Sequence, residues 1–303
     1  MGNSLEYAKI FQPTLDKQLI EGATSGWMEE NAGRVKYNGG NEVKIPKISM
    51  DGLADYDREK GFVEGGIDLA YETKIMTQDR GRTFHLDAMD VDETNFVADA
   101  GNVMGEFQRT KVIPEVDAYR YSLIATLAKS ADKVTKYTPD ADTILKTLLA
   151  DIANIRDICG DSVELVITMS TPVQSVLSSA KETSKIIDTT NFKKGDLNLK
   201  VKGVDDTPII SVPSARMKTE YNFFDGTTTG QSRGGFEATD EAEDINWLIT
   251  ARRAPMAISK TDVTRVFNPL ENQKAHAWKI DYRKYHDLWI AENQMDGIWV
   301  NIK

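Results

Sequence analysis

The chain has 303 residues, of which 40% are hydrophobic and 28% charged, values typical of a folded protein with a sizeable core. Its net charge of −10 argues against tight, unaided binding of duplex DNA, because that role normally needs a basic face. No apolar run is long enough to cross a bilayer and no secretory leader is recognisable, so we expect synthesis in a cytoplasm. Cys159 is the only cysteine, which excludes an intrachain disulfide and a cysteine-rich metal site.

Residues 1–40 are predicted to form an N-terminal arm. A short amphipathic helical pattern, interrupted by Pro13, is followed by the small residues Ala23, Thr24, Ser25 and Gly26. So short a helix cannot bury its apolar side by itself. We therefore expect the arm to lie on another surface, either of this subunit or of a neighbouring one.

Residues 41–90 predict a long hairpin. Apolar and polar residues alternate from Ile67 to Ile75, enough for a strand of roughly 30 Å. A weaker strand signal surrounds Val43 to Ile48, where Pro46 is unsuited to the middle of a sheet. Turn-forming and charged residues at 51–61 separate the two strands. A two-stranded ribbon of this length is marginal in water, which indicates that it lies on a partner.

The next region predicts a long helix in two parts. Phe96 to Phe107 has helical spacing, and the pattern resumes from Val116 to Leu127 after Pro114, which is expected to break the run. The acidic and capping residues before Phe96 suit a helix start. Together the two stretches predict a spine within residues 91–135.

The rest of the chain predicts an α/β region followed mainly by strands. A helix is expected from about Asp142 to Cys159, then a buried strand from Glu164 to Met169 and a helix after Ser170. Cys159 continues the apolar side of its helix and is interpreted as a small buried residue. Residues 226–235 are expected to form a surface loop. The predicted C-terminal strands are Pro208–Val212, Ile245–Ala251, Met256–Ser259, Val263–Phe267, a run from Trp278 to Ile290, and Ile298–Ile302.

The densest carboxylate cluster lies at 87–93 and includes Asp87, Asp90 and Asp92. A metal site or an acid–base pair is one interpretation of it, but the glycine and distal glutamate of a calcium loop are missing. Charge at the start of a helix explains the cluster adequately. The histidines His85, His276 and His286 are not at metal-ligand spacing, and no nucleophile has a recognisable setting. We therefore expect no catalytic, cofactor or metal site.

Several charged and aromatic residues are candidates for contacts between subunits. Arg80 and Arg82 are expected at the end of the ribbon, beside Asp79 and Asp87, where they either form ordinary surface ion pairs or donate to the carboxylates of a neighbour. The full set of candidate contact residues is Tyr56, Arg58, Lys60, Arg80, Arg82, Asp87 and Asp90.

This order of elements resembles the major capsid proteins of tailed double-stranded DNA bacteriophages, in particular siphoviruses, which have the Hong Kong 97 fold. The residues that carry the resemblance are Asp79–Phe84, Asp87–Thr94, Val112–Arg120 and Tyr282–Trp289. The resemblance implies an α+β fold with an N-terminal arm, an extended E-loop hairpin, a peripheral domain with a long spine helix, and an axial domain. In that scheme, the arm is 1–40, the E-loop 41–90, the peripheral domain 91–135, the axial domain 136–245, and the closing peripheral strands 246–303.

The resemblance also implies a structural role in the virion. Subunits of the family self-assemble into hexamers and pentamers that close an icosahedral head around double-stranded DNA, without sequence-specific binding and without a membrane. Only about forty residues precede the ribbon, so scaffolding is expected to be a separate protein, acting with a portal in the host cytoplasm. No residue matches a crosslinking motif, although Lys60 and Lys74 lie in or near the ribbon.

Three alternatives remain open. An encapsulin-type nanocompartment has the same kind of shell but encloses enzymes rather than DNA. A carboxylate-dependent hydrolase could use Asp87, Asp90 or Asp92. A phage tail-tube subunit is disfavoured by the predicted spine helix.

Overall fold

A computed structural model describes residues 22–34, 36–37, 41–59, 61–87, 104–180, 187–194, 197–205 and 207–303. For residues 34, 36–37, 87, 187–194 and 197–202 it describes only the backbone. Most of the predicted arm, Lys60, Asp90, and the helical stretch from Phe96 to residue 103 lie outside these ranges. Among the described helices, none is both long and apolar enough to span a membrane.

The described chain contains strands, helices and short 3-10 segments in a mixed order. The helices are α1 (Ile113–Ser130), α2 (Ile144–Cys159) and α3 (Thr171–Ser179). The strands are β1 (Lys36–Tyr37), β2 (Glu42–Met50), β3 (Ile67–Ile75), β4 (Gln78–Asp87), β5 (Val134–Lys136), β6 (Leu165–Ser170), β7 (Ile187–Lys194), β8 (Leu197–Val204), β9 (Thr207–Val212), β10 (Tyr221–Phe223), β11 (Phe236–Ala238), β12 (Ile245–Ala251), β13 (Pro255–Phe267), β14 (Ala277–Ile290) and β15 (Ile298–Ile302).

The largest sheet has seven strands in the order β5-β15-β12-β6-β9-β8-β7. Every residue of β6 and β12 is buried, as expected for strands covered on both faces. Helices α1 and α2 contribute Ile124, Leu148 and Ile152 to the core that these strands share. Cys159 is half-buried and packs against the edge of this core.

The predicted boundary at residue 245 does not separate two sheets. Strand β12 pairs with β6 and also with β15, so the first and last of the predicted closing strands lie in the seven-stranded sheet. Strands β13 and β14, which lie between β12 and β15 in the sequence, belong to a separate three-stranded sheet. Sequence periodicity identifies a strand but not its partner, which explains the difference.

A second sheet has three strands in the order β13-β14-β4. Residues 255–267 form one strand rather than the predicted two, with a register irregularity between Ser259 and Thr261. Strand β4, which contains Arg80 and Arg82, pairs with β14 along its whole length. The two arginines therefore lie in a separate strand of the body and not at the end of the ribbon. Its polar residues and Gly81 obscured the alternation that would have predicted this strand.

The ribbon is confirmed as an antiparallel pair, with β2 and β3 aligned from Glu42 opposite Ile75 to Met50 opposite Ile67. Pro46 lies opposite Tyr71 in this pair. Although β2 is the middle strand of a three-stranded sheet, β1 pairs only with Val43 and Lys44. The outer side of β2 is therefore unpaired at Pro46, which is where a residue without an N–H is tolerated.

The spine helix runs through Pro114 without a break. Residues 104–107 are helical, Gln108–Val112 form a π turn, and α1 continues to Ser130. The N–H of Ile113 donates to the carbonyl of Gln108, five residues earlier. This wider turn accommodates the proline ring, which would clash in a regular helix, so the predicted break at Pro114 is wrong. The described helix is roughly 40 Å long at 1.5 Å per residue.

A buried polar network attaches residues 22–34 to the spine helix. The fully buried carboxylate of Asp117 accepts hydrogen bonds from the hydroxyls of Thr24 (2.7 Å) and Ser25 (2.6 Å), from both of their backbone N–H groups, and from Arg216 (3.0 Å). One turn further on, Arg120 donates to Glu29 at 2.5 Å. These contacts fix the described part of the predicted arm to the body of its own chain.

We expect Asp117→Ala to lower the free energy of unfolding by about 3–5 kcal/mol, because Arg216 and four other donors would lose their buried acceptor. Urea unfolding followed by circular dichroism measures the loss. The control is Asp157→Ala, at an exposed position of α2, which should change the stability by less than about 0.5 kcal/mol. Equal stability of the two variants would contradict the anchoring role of Asp117.

Candidate inter-subunit surface

The ribbon has one apolar and one mainly polar face. Opposite residues of an antiparallel pair point to the same side, so Ile48 and Leu69 share a face with Met50 and Ile67. Ile48 is 54% exposed and Met50 is 70% exposed. Ten of the twelve large apolar side chains that are exposed in the described part of the chain lie between residues 48 and 75. We call the face formed by Ile48, Met50, Ile67, Leu69, Tyr71 and Ile75 the apolar ribbon face.

The base of the ribbon is attached to the body by its other face. Val43 and Ile45 are buried in a small cluster with Met256 and Trp289, where β13 and β14 meet. Lys47 forms a 2.5 Å ion pair with Glu292 just beyond this cluster. The body therefore fixes the direction of the ribbon, while the side chains of the apolar ribbon face stay between 46% and 76% exposed.

The tip, residues 51–66, has its own local structure. Asp57 and Gly61 form a short bridge, and the positive φ of Gly61 (84°) suits glycine there. The rings of Tyr56 and Phe62 pack with centroids 4.8 Å apart, yet both side chains are exposed. Leu53 has no cover at all. Such a concentration of exposed apolar groups is typical of a surface that another molecule covers.

Arg80 lies at the junction of three elements of its own chain. Its Nε donates to Glu115 at the start of α1 (2.7 Å), and its terminal nitrogens donate to the carbonyls of Phe224 (2.9 Å) and Gly235 (3.3 Å). Because all three guanidinium nitrogens already donate within the chain, a neighbour's carboxylate would compete with these acceptors. The geometry favours the intrachain interpretation of Arg80.

The remaining candidate contact residues are distributed differently. Tyr56 and Arg58 are exposed at the ribbon tip, where a second copy could reach them. Arg82 is exposed and donates to the carbonyl of Ser232 at 3.1 Å. For Asp87 only the backbone, paired with Ala277, is described, and Lys60 and Asp90 lie outside the described residues. The roles of these residues between subunits stay predictions.

The described residues include no group of three or more His, Cys, Asp or Glu side chains arranged to hold a metal ion. The acidic cluster 88–93 lies outside the described part. His85 is exposed in β4, and His276 lies at the bend before β14.

His286 is buried inside β14 among positive charges. Its pKa lies well below the usual value because of burial and of the nearby cations Arg120, Lys284 and Arg80. The ring of Tyr119 packs edge-on against it, with centroids 5.6 Å apart. The adjacent Asp287 accepts hydrogen bonds from Tyr119 (2.6 Å) and from the backbone of Thr77 (2.8 Å). Both residues thus hold β14 to the spine helix and to the start of β4.

Solved capsid structures have the same fold as this chain. The capsid of Ralstonia phage GP4 is similar with a TM-score of 0.56 and 10% identity, over 88% of this chain and 84% of that one. The mature capsid of bacteriophage PhiM1 has a TM-score of 0.55 and 13% identity, over 88% and 82%. A virus-like particle from Pyrococcus furiosus has a TM-score of 0.52 and 11% identity, over 98% and 99%.

These similarities confirm the predicted α+β capsid fold, and with it the resemblance to tailed-phage capsid proteins at the level of the fold. No protein-family model and no curated protein matches the sequence. At such low identity the similarity carries information on the fold alone, so the function has to be inferred from the surfaces of the molecule.

We expect the stability of the subunit to fall as the pH drops below roughly 6.5, the pKa of an unfolded histidine. The unfolded chain then binds a proton at His286 that the folded chain does not, because the folded pKa is depressed. Between pH 7.5 and 5.5 this effect costs on the order of 1 kcal/mol.

Urea unfolding of the wild type and of His286→Gln at both pH values measures this difference. The variant has no proton to bind at this position. Between pH 7.5 and 5.5 its free energy of unfolding should therefore fall by on the order of 1 kcal/mol less than that of the wild type. An identical decrease in both proteins would show that His286 does not stay neutral in the folded state.

Proposed function

We propose that this chain is the major capsid protein of a tailed bacteriophage, a structural subunit that builds the head shell rather than an enzyme. The observation that carries the proposal is the apolar ribbon face, which projects from an otherwise well-packed body and is left uncovered. The capsid fold supplies the context. A surface of this kind needs a partner, and further copies of the same chain are the partner that a shell provides.

The energetics favour contacts between copies. Covering the exposed half of a side chain such as Ile48 or Leu69 contributes about 1 kcal/mol. One such contact is weak, but a subunit in a closed shell both covers a neighbour's ribbon and has its own ribbon covered. Repeated contacts and closure then make the assembly stable through avidity.

The finer features of the proposal follow the resemblance. The subunits form hexamers and pentamers that close an icosahedral head in the virion, after assembly in the host cytoplasm. A separate scaffolding protein and a portal take part in assembly. Double-stranded DNA is enclosed without sequence-specific contacts. The net charge of −10 on each subunit agrees with this, because a negatively charged shell does not adhere to DNA.

The second candidate is an encapsulin-type nanocompartment shell. The similarity to the Pyrococcus furiosus virus-like particle covers nearly the whole of both chains, which is the observation in its favour. Both candidates use the same contacts between copies, so the content of purified particles distinguishes them. A phage head contains DNA after infection, whereas a nanocompartment contains protein cargo.

We expect Ile48→Ser combined with Leu69→Ser to abolish most particle formation while the subunit stays folded. The two substitutions make the centre of the apolar ribbon face polar, and both sites are already half exposed, so folding loses little. Negative-stain microscopy and sedimentation velocity count the particles, and circular dichroism checks the fold.

The matched control is Ile158→Ser on α2, because Ile158 has the same 54% exposure as Ile48 but lies outside the ribbon. The control should assemble like the wild type. Normal particles from the double variant would contradict the role of the apolar ribbon face.

Replacing residues 49–66 by a short turn is a stronger test of the same ribbon. The base of the ribbon, with Val43 and Ile45, remains buried in this variant, so the body should fold. Because the outer part of the ribbon is missing, we expect soluble subunits or aberrant particles in electron micrographs. Particles of normal size and shape would refute the hypothesis that the ribbon clasps neighbouring subunits.

A further inference from the structure

A cavity of about 750 Å³ lies beside β4, between the start of α1, the loop at 224–235 and the inner strand β14. We infer that this cavity receives the acidic ribbon tip of a second copy. The inference rests on the proposed function, because it assigns the place where one subunit holds the next.

The charges around the cavity are mainly positive. Five cations line it, namely Arg80, Arg82, Lys111, Arg233 and Lys284, against three carboxylates, namely Asp79, Glu115 and Asp225. Each carboxylate already has a partner: Arg80 binds Glu115, Arg283 binds Asp79, and the backbone N–H groups of residues 227 and 228 bind Asp225.

Three of these five cations form no ion pair with a described residue. Arg82 is exposed and donates to the backbone carbonyl of Ser232. Lys111 and Arg233 are also exposed and have no carboxylate partner among the described residues. On a chain with a net charge of −10, an excess of unpaired positive charge in one concave place is a feature that selects an acidic partner.

A buried polar atom without a partner lies in the same cavity. His286 lines its wall and is only 3% exposed, and its Nδ1 has no hydrogen-bond partner. A buried group of this kind is costly unless a ligand satisfies it. Beside it, the rings of Phe84 and Phe107 pack edge to face at 4.9 Å and give the cavity an apolar side. The cavity thus offers positive charge, a hydrogen-bonding atom and an aromatic surface together.

The ribbon tip has the complementary properties. Residues 51–64 contain five acidic residues and two basic ones, namely Asp51, Asp55, Asp57, Glu59 and Glu64 against Arg58 and Lys60. Its exposed Leu53, Tyr56 and Phe62 match the aromatic side of the cavity. The tip stands at the end of a ribbon roughly 30 Å long. Tyr56 and Phe62 pack on each other but stay 59% and 88% exposed, and Leu53 is fully exposed. A second copy of the chain can therefore supply the acidic partner of the cavity and, at the same time, the surface that covers the tip.

A charge exchange tests the inference. The cavity variant is Lys111→Glu with Arg233→Glu, and the tip variant is Asp55→Lys with Glu59→Lys. The combined variant has all four substitutions. The control, with the same change of charge as the cavity variant, is Lys146→Glu with Lys303→Glu, both at exposed positions outside the cavity and the ribbon. Particles are counted by electron microscopy and sedimentation, and thermal unfolding checks each subunit.

We expect the cavity and tip variants each to reduce the particle yield by about tenfold or more, since like charges then face each other across the contact. The combined variant should recover most of the yield, because opposite charges are restored with the signs exchanged. The control should assemble like the wild type.

Two results would overturn the inference: a cavity variant that assembles normally, or a combined variant that assembles no better than its two parents. In the first case, a lower DNA content of the variant particles would assign the cavity to nucleic acid instead. If the wild type formed no particles even together with its scaffolding protein, the proposed function would fail, and the inference would fail with it.

Discussion

The two-residue period of a paired strand determines which side chains of the ribbon can be buried together. Nine consecutive residues of β3 alternate, so every second side chain of the ribbon must lie on the same face. Near the base, the body buries Val43 and Ile45 on one side. Beyond the base, the opposite side presents Ile48, Leu69 and their neighbours to solvent. A one-residue change of register would turn the apolar ribbon face towards the body only by turning Val43 and Ile45 out to solvent. A single chain therefore cannot bury both sets of apolar side chains.

The body is built to hold the ribbon firmly. Strand β4 follows the ribbon after a short link and pairs with β14. The ribbon is therefore connected directly to the second sheet. Arg80 then connects β4 to the spine helix and to the loop at 224–235. On the other side of the helix, Asp117 and Arg120 hold residues 22–34, the described part of the predicted arm. The spine helix is thus the element to which residues 22–34 and, through Arg80, strand β4 are fixed.

Local patterns predicted the elements well and their partners poorly. The bounds of β3, β12 and β15 follow from alternation or short apolar runs, and the structure reproduces them. Strand β4 was missed because its residues are mostly polar, and its register is set by β14, some two hundred residues away. The π turn before Pro114 leaves no trace in apolar periodicity. The cavity next to β4 combines residues from distant segments, so Lys111 and Arg233 had no sequence signal linking them.

Coverage of the apolar ribbon face by another copy of the chain can be observed by oxidative footprinting with mass spectrometry. The labelling rate of Met50 is compared between free subunits and assembled particles. Met50 is 70% exposed in the single chain, so it should be labelled readily there and strongly protected after assembly. Equal labelling of Met50 in both states would show that the face stays open to solvent in the shell and that neighbouring subunits do not cover it.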